Sequence, residues 1–374
     1  MKKKILIIIT SLALGGGAEK VASILTKKLS YKYDFHILTF YESNRLYPYK
    51  GNYSSLKEDQ SSVKRFFILF KLHRYINKIS PDLIISFMDH TNMATILTKV
   101  IFRLKIPLII SVRVNPKKAY QETRKYYNIL IRMFYRLNSV NRIITNVNEI
   151  QCLLEENYGI SRKKILTIQN GVDIAKIKGL SEVDFSDYED MIKNPDLIKF
   201  VNIGRLSSSK NHKLLINAFS KVYQKMNNTR LIIIGDGTLR SDLKKHIIMK
   251  GLDKVIILLG LKENPFCYLR YSDIFILSST YEGMPNVILE AMACDLPIIS
   301  TNIPGAREIL NKGKYGLLVN SEDEDDLVNK MIEVAGDPNL RKNLKQKSIR
   351  RIADFDYKKI IVKWDSEISL LVEQ

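Results

Sequence analysis

Short runs of isoleucine, leucine and valine recur along the whole chain and alternate with stretches whose apolar residues return at helical spacing. In the first half the runs are KILIIIT (4–10), DFHILTF (34–40), DLIISF (82–87), PLIISV (107–112), RIITN (142–146) and ILTIQN (165–170). A second series comprises IKFVNIG (198–204), RLIIIG (230–235), KVIILLG (254–260), DIFILSS (273–279), PIIS (297–300) and GLLV (316–319). Strands that read as near-continuous apolar runs are covered on both faces, and strands alternating with helices build parallel sheets. Between the two series, the polar and acidic stretch 176–196 ends in KNPD and reads as a linker. The pattern therefore predicts an α/β protein with two Rossmann-like, doubly wound domains, 1–175 and 197–354, facing each other. In such sheets ligands bind outside the carboxyl ends of the strands, so the cleft between the domains is the expected site.

Bulk properties narrow the class. A chain of 374 residues is too long for one ordinary core, and 45% hydrophobic residues with ten prolines fit a globular protein. Cys152, Cys267 and Cys294 lie far apart and form no CxxC pair, so neither a disulfide framework nor a zinc site is implied. The start, MKKKILIIITSLALGGGAEK, imitates a signal peptide. Thr10 and Ser11 interrupt it, and a glycine turn stands where a cleavage site would be, so it reads as a first strand. No uninterrupted apolar run of about 18 residues occurs, so no membrane span is expected. Charge is uneven. Residues 1–150 carry 26 Lys and Arg against 9 Asp and Glu, whereas 151–374 carry 33 against 30. The basic half calls for an anionic partner, either nucleic acid or a membrane surface.

Candidate chemistry sits in the loops after strands. LGGGAEK (14–20) opens a helix with three glycines, including Gly16 and Gly17, and allows close backbone approach to an anion. A tight turn is the plainer alternative. It is not a GxGxxG fingerprint, because Lys20 stands where the last glycine should be, which makes a dehydrogenase improbable. In GRLSSSKNH, Arg205 and Lys210 bracket a serine run at a helix start. Arg is a planar fork and Lys a point charge, so the pair suits a diphosphate. A solvated capping turn would look the same. GDGTLR places Gly235 and Gly237 after the next strand, again as a close-approach loop or a plain turn. In YEGMPNVILE, Glu282 precedes a helix that Pro285 helps to start, and Glu290 lies within it. Buried glutamates need hydrogen-bond donors, which sugar and ribose hydroxyls supply, while the helix start between them favours phosphate. A helix cap alone is the competing account.

Order and spacing of GRLSSSKNH, IIIGDGTLR, the long stretch from LLGLKENPF to GAREIL, and YGLLV resemble the donor half of family 4 retaining glycosyltransferases. Glu282 and Glu290 are similar to that family's E-x7-E pair, and LGGGAEK to its N-terminal loop, so the likeness covers nearly the whole chain. It implies a GT-B fold with the last helix, 355–374, crossing back onto the N-terminal domain. By this resemblance Gly16, Gly17, Gly235 and Gly237 belong to the donor loops. Arg205 and Lys210 would bind the donor diphosphate, Glu290 the ribose, and Glu282 the transferred sugar. Backbone N–H groups of Gly283, Met284, Pro285 (which has none to give), Asn286 and Val287 mark the loop around that sugar. No metal or other cofactor is implied, and retention would follow from front-face attack assisted by the leaving diphosphate. Many members carry a histidine after the fourth strand. Here SVRVNP puts Arg113 and Asn115 there, which leaves Arg113 or His90, in FMDHTN, as the group at the reaction centre.

The segments 63–78 and 115–136 are basic, aromatic and helical in period. Lys125, Arg132 and Arg136 share one face with Arg124 beside it. Residues 83–116 and the glycine loop resemble bacterial transferases that extend undecaprenyl-diphosphate-linked glycans, including amino-sugar transferases. That likeness makes Gly17, His90, Asn115, Arg124, Lys125, Arg132 and Arg136 acceptor candidates. It also implies a UDP-sugar and a polyprenyl-diphosphate glycan as substrates, and peripheral attachment at the cytoplasmic face of the cell membrane. Two alternatives stand beside it: another GT-B enzyme such as a UDP-sugar 2-epimerase, and a nucleic-acid-binding protein, against which no recognition motif is present.

Overall fold

In the computed structural model each apolar run becomes a strand because its side chains find cover on both faces. The structure describes residues 1–13, 16–43, 46–57, 67–119 and 125–373, with backbone alone at 118, 119 and 125. The chain divides into two compact units, Met1–Asn170 with Lys358–Gln374, and Gly171–Tyr357.

The first unit holds β1 (Lys3–Ile9), β2 (Tyr33–Thr39), β3 (Asn52–Ser55), β4 (Leu83–Phe87), β5 (Leu108–Val112), β6 (Arg142–Thr145) and β7 (Ile165–Thr167). They form one parallel sheet in the order β3-β2-β1-β4-β5-β6-β7. From Ile5 to Ile9 every β1 residue is buried, as a strand covered on both sides requires. β3 was absent from the sequence pattern. Its residues, Asn52, Tyr53, Ser54 and Ser55, carry no apolar run and become a strand only by pairing along β2, Asn52 opposite His36.

The second unit holds β8 (Ile198–Ile203), β9 (Thr229–Ile234), β10 (Ile256–Gly260), β11 (Ile274–Leu277), β12 (Ile298–Thr301) and β13 (Leu317–Val319). Their order is β10-β9-β8-β11-β12-β13, again parallel. In both sheets the order reverses beside the first strand, between β1 and β4 and between β8 and β11. Loops leaving the carboxyl ends of these central strands are therefore neighbours, as doubly wound sheets demand.

One boundary differs from the sequence expectation. The stretch 176–196 is not a bare linker. It contains the end of the helix Ile174–Ser181 and the short helix Glu189–Ile192, and it belongs to the second unit. Its few apolar groups explain this: Ile177 and Ile192 are buried, and the Phe185 ring packs 4.4 Å from that of Tyr268. Asp187 accepts from Lys262 Nζ at 2.6 Å and from Tyr268 Oη at 3.0 Å. Such anchoring was hidden because the partners lie some 80 residues downstream.

The closing helix, Tyr357–Val372, belongs to the first unit from Lys358 onward. Ile360, Trp364, Ile368 and Leu371 recur at helical spacing, are all buried, and join the core that contains Ile5, Ile7, Phe35 and Phe87. The Trp364 and Phe87 rings stand 5.9 Å apart. At the rim of that stripe, Asp365 accepts from Tyr33 Oη at 2.6 Å and pairs with Lys32 Nζ at 2.9 Å. Trp364 is the sole tryptophan of the chain, so its fluorescence reports on this docking. Ile368→Ala removes a fully buried side chain and is expected to cost about 2–5 kcal/mol. The urea midpoint of the Trp364 fluorescence transition should fall accordingly, and an unchanged midpoint would show that the helix adds nothing to this core.

Candidate active site

The loop from Gly204 to Asn211, after β8, is held from both sides. On one side, Gly204 N–H donates to Ile234 C=O at 3.0 Å and Leu206 N–H to Asp236 C=O at 3.0 Å. A Cβ on Gly235 (φ +145°) would stand 2.0 Å from the Gly204 carbonyl oxygen, and one on Gly237 2.4 Å from that of Leu206. The close backbone approach these glycines allow is thus to the neighbouring loop. On the other side, two residues after β11 reach across, while the serine between them turns to its own loop. Ser278 Oγ donates to Lys210 C=O at 2.9 Å, Thr280 N–H donates to Ser209 C=O at 2.9 Å, and Ser279 Oγ donates to Glu282 Oε1 at 2.7 Å.

Lys210 and Glu282, 72 residues apart in sequence, meet directly, Nζ to Oε2 at 2.7 Å. Both side chains are about one-fifth exposed. Both carboxylate oxygens of Glu282 are therefore engaged, one by a neutral hydroxyl and one by an ammonium. Arg205 is exposed at the mouth of the same loop. The helix Asn286–Ala293 begins at Pro285, whose side chain caps no N–H, and Glu290 lies one turn inside it, partly buried. Gly283, Met284 and Pro285 are buried. They fit there because Gly305 has no side chain: a Cβ would come 1.9 Å from the Gly283 carbonyl oxygen. One end of this sheet thus gathers a lysine, a held carboxylate, an uncapped helix start and a second glutamate. The ammonium and the uncapped start suit a phosphate.

Behind the loop, His212 is buried and faces Asn202, Nε2 to Oδ1 at 3.0 Å. Asn202 Nδ2 donates to Ile276 C=O at 2.8 Å, which turns its Oδ1 toward the imidazole, so His212 Nε2 carries the proton. Burial, and secondarily the nearby Lys210 charge, push the His212 pKa down to about 4.

In the first unit the helix Gly17–Leu29 starts at Gly16, against which the Glu19 carboxylate folds back, on the spot a Cβ would occupy. Arg113, just past β5, is buried and bonds to Asn170 Oδ1, while its Nε and Nη1 have no hydrogen-bond partner among the described residues. Burial lowers its pKa to about 10, with the Glu19 charge opposing, so it stays cationic near neutrality. Asn115 lies two residues on, half-buried. His90 is exposed at the start of the helix Asp89–Ile101, and its Nδ1 lies 2.9 Å from Tyr127 Oη. Arg132 and Arg136 are exposed at the helix Lys125–Tyr135 and just beyond it. Arg124 and the Lys125 side chain lie outside the described residues. Among the described residues no three His, Cys, Asp or Glu side chains cluster as metal ligands.

Two family models divide the chain between them: Glycosyltransferase Family 4 matches residues 15–176, and Glycosyl transferases group 1 matches 187–351. An uncharacterised glycosyltransferase of Methanocaldococcus jannaschii is 32% identical over 340 residues, 81% of this chain and 82% of its own length. The chain belongs to the family 4 glycosyltransferases. A Campylobacter jejuni relative, named N-acetylgalactosamine-N,N'-diacetylbacillosaminyl-diphospho-undecaprenol 4-alpha-N-acetylgalactosaminyltransferase, is 28% identical over 374 residues. That match covers 96% of this chain and 97% of the relative. Among solved structures, the Anabaena protein HepE in complex with UDP superposes with a TM-score of 0.80 at 19% identity, over 99% of this chain and 100% of that one. The fold is therefore GT-B. These relatives are transferases, which leaves the epimerase and nucleic-acid alternatives without support.

For this glycosyltransferase the structure brings together Lys210 and Glu282, and separately sets the Glu19 carboxylate against Gly16. Sequence reading missed Ser278, Ser279, Thr280, Asn202 and Asn170. Serine and threonine at a strand end carry no signal of their own, and only the parallel pairing of β8 with β11 reveals what Ser278 and Thr280 touch. The buried imidazole supplies a test. A histidine whose folded pKa is depressed stays neutral while the unfolded chain takes up a proton, so its stabilisation is complete above about pH 6.5 and is lost as pH falls toward 4. The lost stability is about 3 kcal/mol over that window, from ~1.4 kcal/mol per pKa unit. The wild-type urea midpoint should fall more steeply between pH 7 and 4.5 than that of His212→Asn, and parallel slopes would refute the buried neutral imidazole.

Proposed function

We propose that the protein transfers a hexose or N-acetylhexosamine from a UDP-sugar to a polyprenyl-diphosphate-linked glycan, with retention and without a metal ion. The work belongs to assembly of a cell-surface glycan at the cytoplasmic face of the membrane. The observation that carries this reading is the meeting of Lys210 and Glu282 beside the uncapped start of the helix Asn286–Ala293. In the donor complex Lys210 and Arg205 neutralise the diphosphate, the helix start donates to it, Glu290 accepts from the ribose, and Glu282 accepts from a hydroxyl of the sugar. Gly235 and Gly237 keep the adjoining loop close. As the anomeric C–O bond breaks, the electron pair leaves with UDP. An acceptor hydroxyl attacks the same face, and its proton passes to the departing phosphate oxygen. Preorganised cations at that developing charge do what a metal does elsewhere.

Acceptor specificity is supported by the Campylobacter relative, whose name gives an undecaprenol-diphosphate acceptor and an alpha product, and by the chemistry of the first unit. Gly17, at a helix start, with His90 and Asn115 serve the acceptor, while Gly16 belongs to the donor loops and Arg113, a buried cation, to the reaction centre. Arg132 and Arg136, with Arg124 and Lys125, suit the acceptor diphosphate. No helix among the described residues is long and apolar enough to cross a membrane. Peripheral attachment is supported by exposed Phe67, Phe70, Val100 and Ile101 among exposed Lys71, Arg74, Arg103 and Lys105, and by exposed Tyr126, Ile129 and Met133 beside Arg132.

Turnover should survive excess EDTA. Loss of activity in chelator, restored by Mg²⁺ or Mn²⁺, would overturn the metal-free clamp. Glu290→Gln exchanges an ionised acceptor at the ribose for an amide and is expected to weaken UDP binding about 10- to 100-fold, the range for charged hydrogen bonds. Glu282→Gln should leave UDP affinity nearly intact while lowering turnover. Titration calorimetry with UDP decides it, and equal behaviour of the two variants would contradict the division of labour.

A further inference from the structure

We infer that Ser279 is a positioning residue for Glu282, and that it keeps the carboxylate in place when Lys210 turns from Glu282 to the donor diphosphate. The inference rests on the proposed roles of Lys210 and Glu282. These two side chains neutralise one another at 2.7 Å. An ammonium that goes over to a diphosphate gives up that contact, and Glu282 Oε2 then becomes available to a sugar hydroxyl. A carboxylate released from the Lys210 ammonium would otherwise rotate freely, at a cost in aligned geometry. Ser279 Oγ, donating to the other oxygen at 2.7 Å, is the remaining tether.

Ser279 is built for that task. It is fully buried, and its carbonyl accepts from Thr301 Oγ1 of β12 at 2.6 Å, so its backbone is held by a neighbouring strand independently of the ligand loops. Its neighbour Ser278, also fully buried, addresses the lysine instead, donating to the Lys210 carbonyl at 2.9 Å. Thr280 adds Oγ1 to Ser209 C=O at 3.3 Å alongside its N–H bond to the same carbonyl. Two consecutive hydroxyls thus serve two partners: Ser278 fixes where the lysine loop sits, and Ser279 fixes where the glutamate points. Lys210 can exchange partners because the bond that anchors its backbone carbonyl is separate from the contact its ammonium makes with Glu282.

The division predicts opposite kinetic signatures. Calorimetry with UDP gives nucleotide affinity. Turnover is measured with the best donor among UDP-glucose, UDP-galactose and their N-acetylamino counterparts, on a short-chain polyprenyl-diphosphate N-acetylhexosamine. Ser279→Ala should lower kcat about 10-fold or more, the loss of one hydrogen bond to a charged group, with UDP Kd within about 2-fold of wild type. Ser279→Thr, which keeps the hydroxyl, should recover most of the lost kcat. Ser278→Ala should raise the UDP Kd several-fold. Thermal midpoints of all variants guard against misfolding. A Ser279→Ala enzyme whose kcat stays within about 2-fold, while Glu282→Gln loses turnover, overturns the positioning role alone. Parallel loss of UDP affinity, kcat and thermal midpoint in Ser279→Ala overturns it in favour of a purely structural role. Full turnover in Glu282→Gln overturns the role of Glu282 and the tether with it.

Discussion

All the described strands of each sheet run in the same direction, and the rest of the molecule follows from that constraint. Parallel pairing sends every carboxyl end to one edge, and the return of the chain through helices leaves both faces covered. In the second unit β8 lies between β9 and β11, so three loops far apart in sequence are forced to be neighbours. Gly235 and Gly237 meet Gly204 and Leu206 on one side, and Ser278 to Glu282 meet Ser209 and Lys210 on the other. In the first unit β1 lies between β2 and β4 and does the same for the loop at Gly16 and those that follow β2 and β4.

The charged groups placed there are held by neutral ones. Lys210 is anchored through its carbonyl, Glu282 through Ser279, and His212 is kept uncharged by burial next to an asparagine of fixed orientation. An imidazolium beside the Lys210 ammonium would add a second positive charge in a buried place, and the low pKa removes it. Arg113 is the reverse case: a buried guanidinium that remains charged, with two nitrogens unpartnered among the described residues and the Glu19 carboxylate nearby as the opposing charge. Unsatisfied buried donors are costly, so two of them on one side chain mark Arg113 as an exception within this core.

Much of this was legible from the chain alone. The alternation of apolar runs with helical periods determined two parallel α/β units, because a strand buried on both faces has no polar side to show. The positions of Lys210, Glu282 and Glu290 after strand ends were readable for the same reason, since doubly wound sheets put ligands there. What the tertiary structure decided were contacts between residues with no local signature. β3 exists only because β2 offers an edge. The acidic stretch before β8 is anchored by Tyr268 and Lys262, which nothing nearby in sequence announces. The pairing of Lys210 with Glu282, and the hold of Ser278 on the Lys210 carbonyl, depend on β11 lying beside β8. Local pattern reports which way one residue faces in its own element, whereas strand order, set by the packing of the whole sheet, reports which residue it meets.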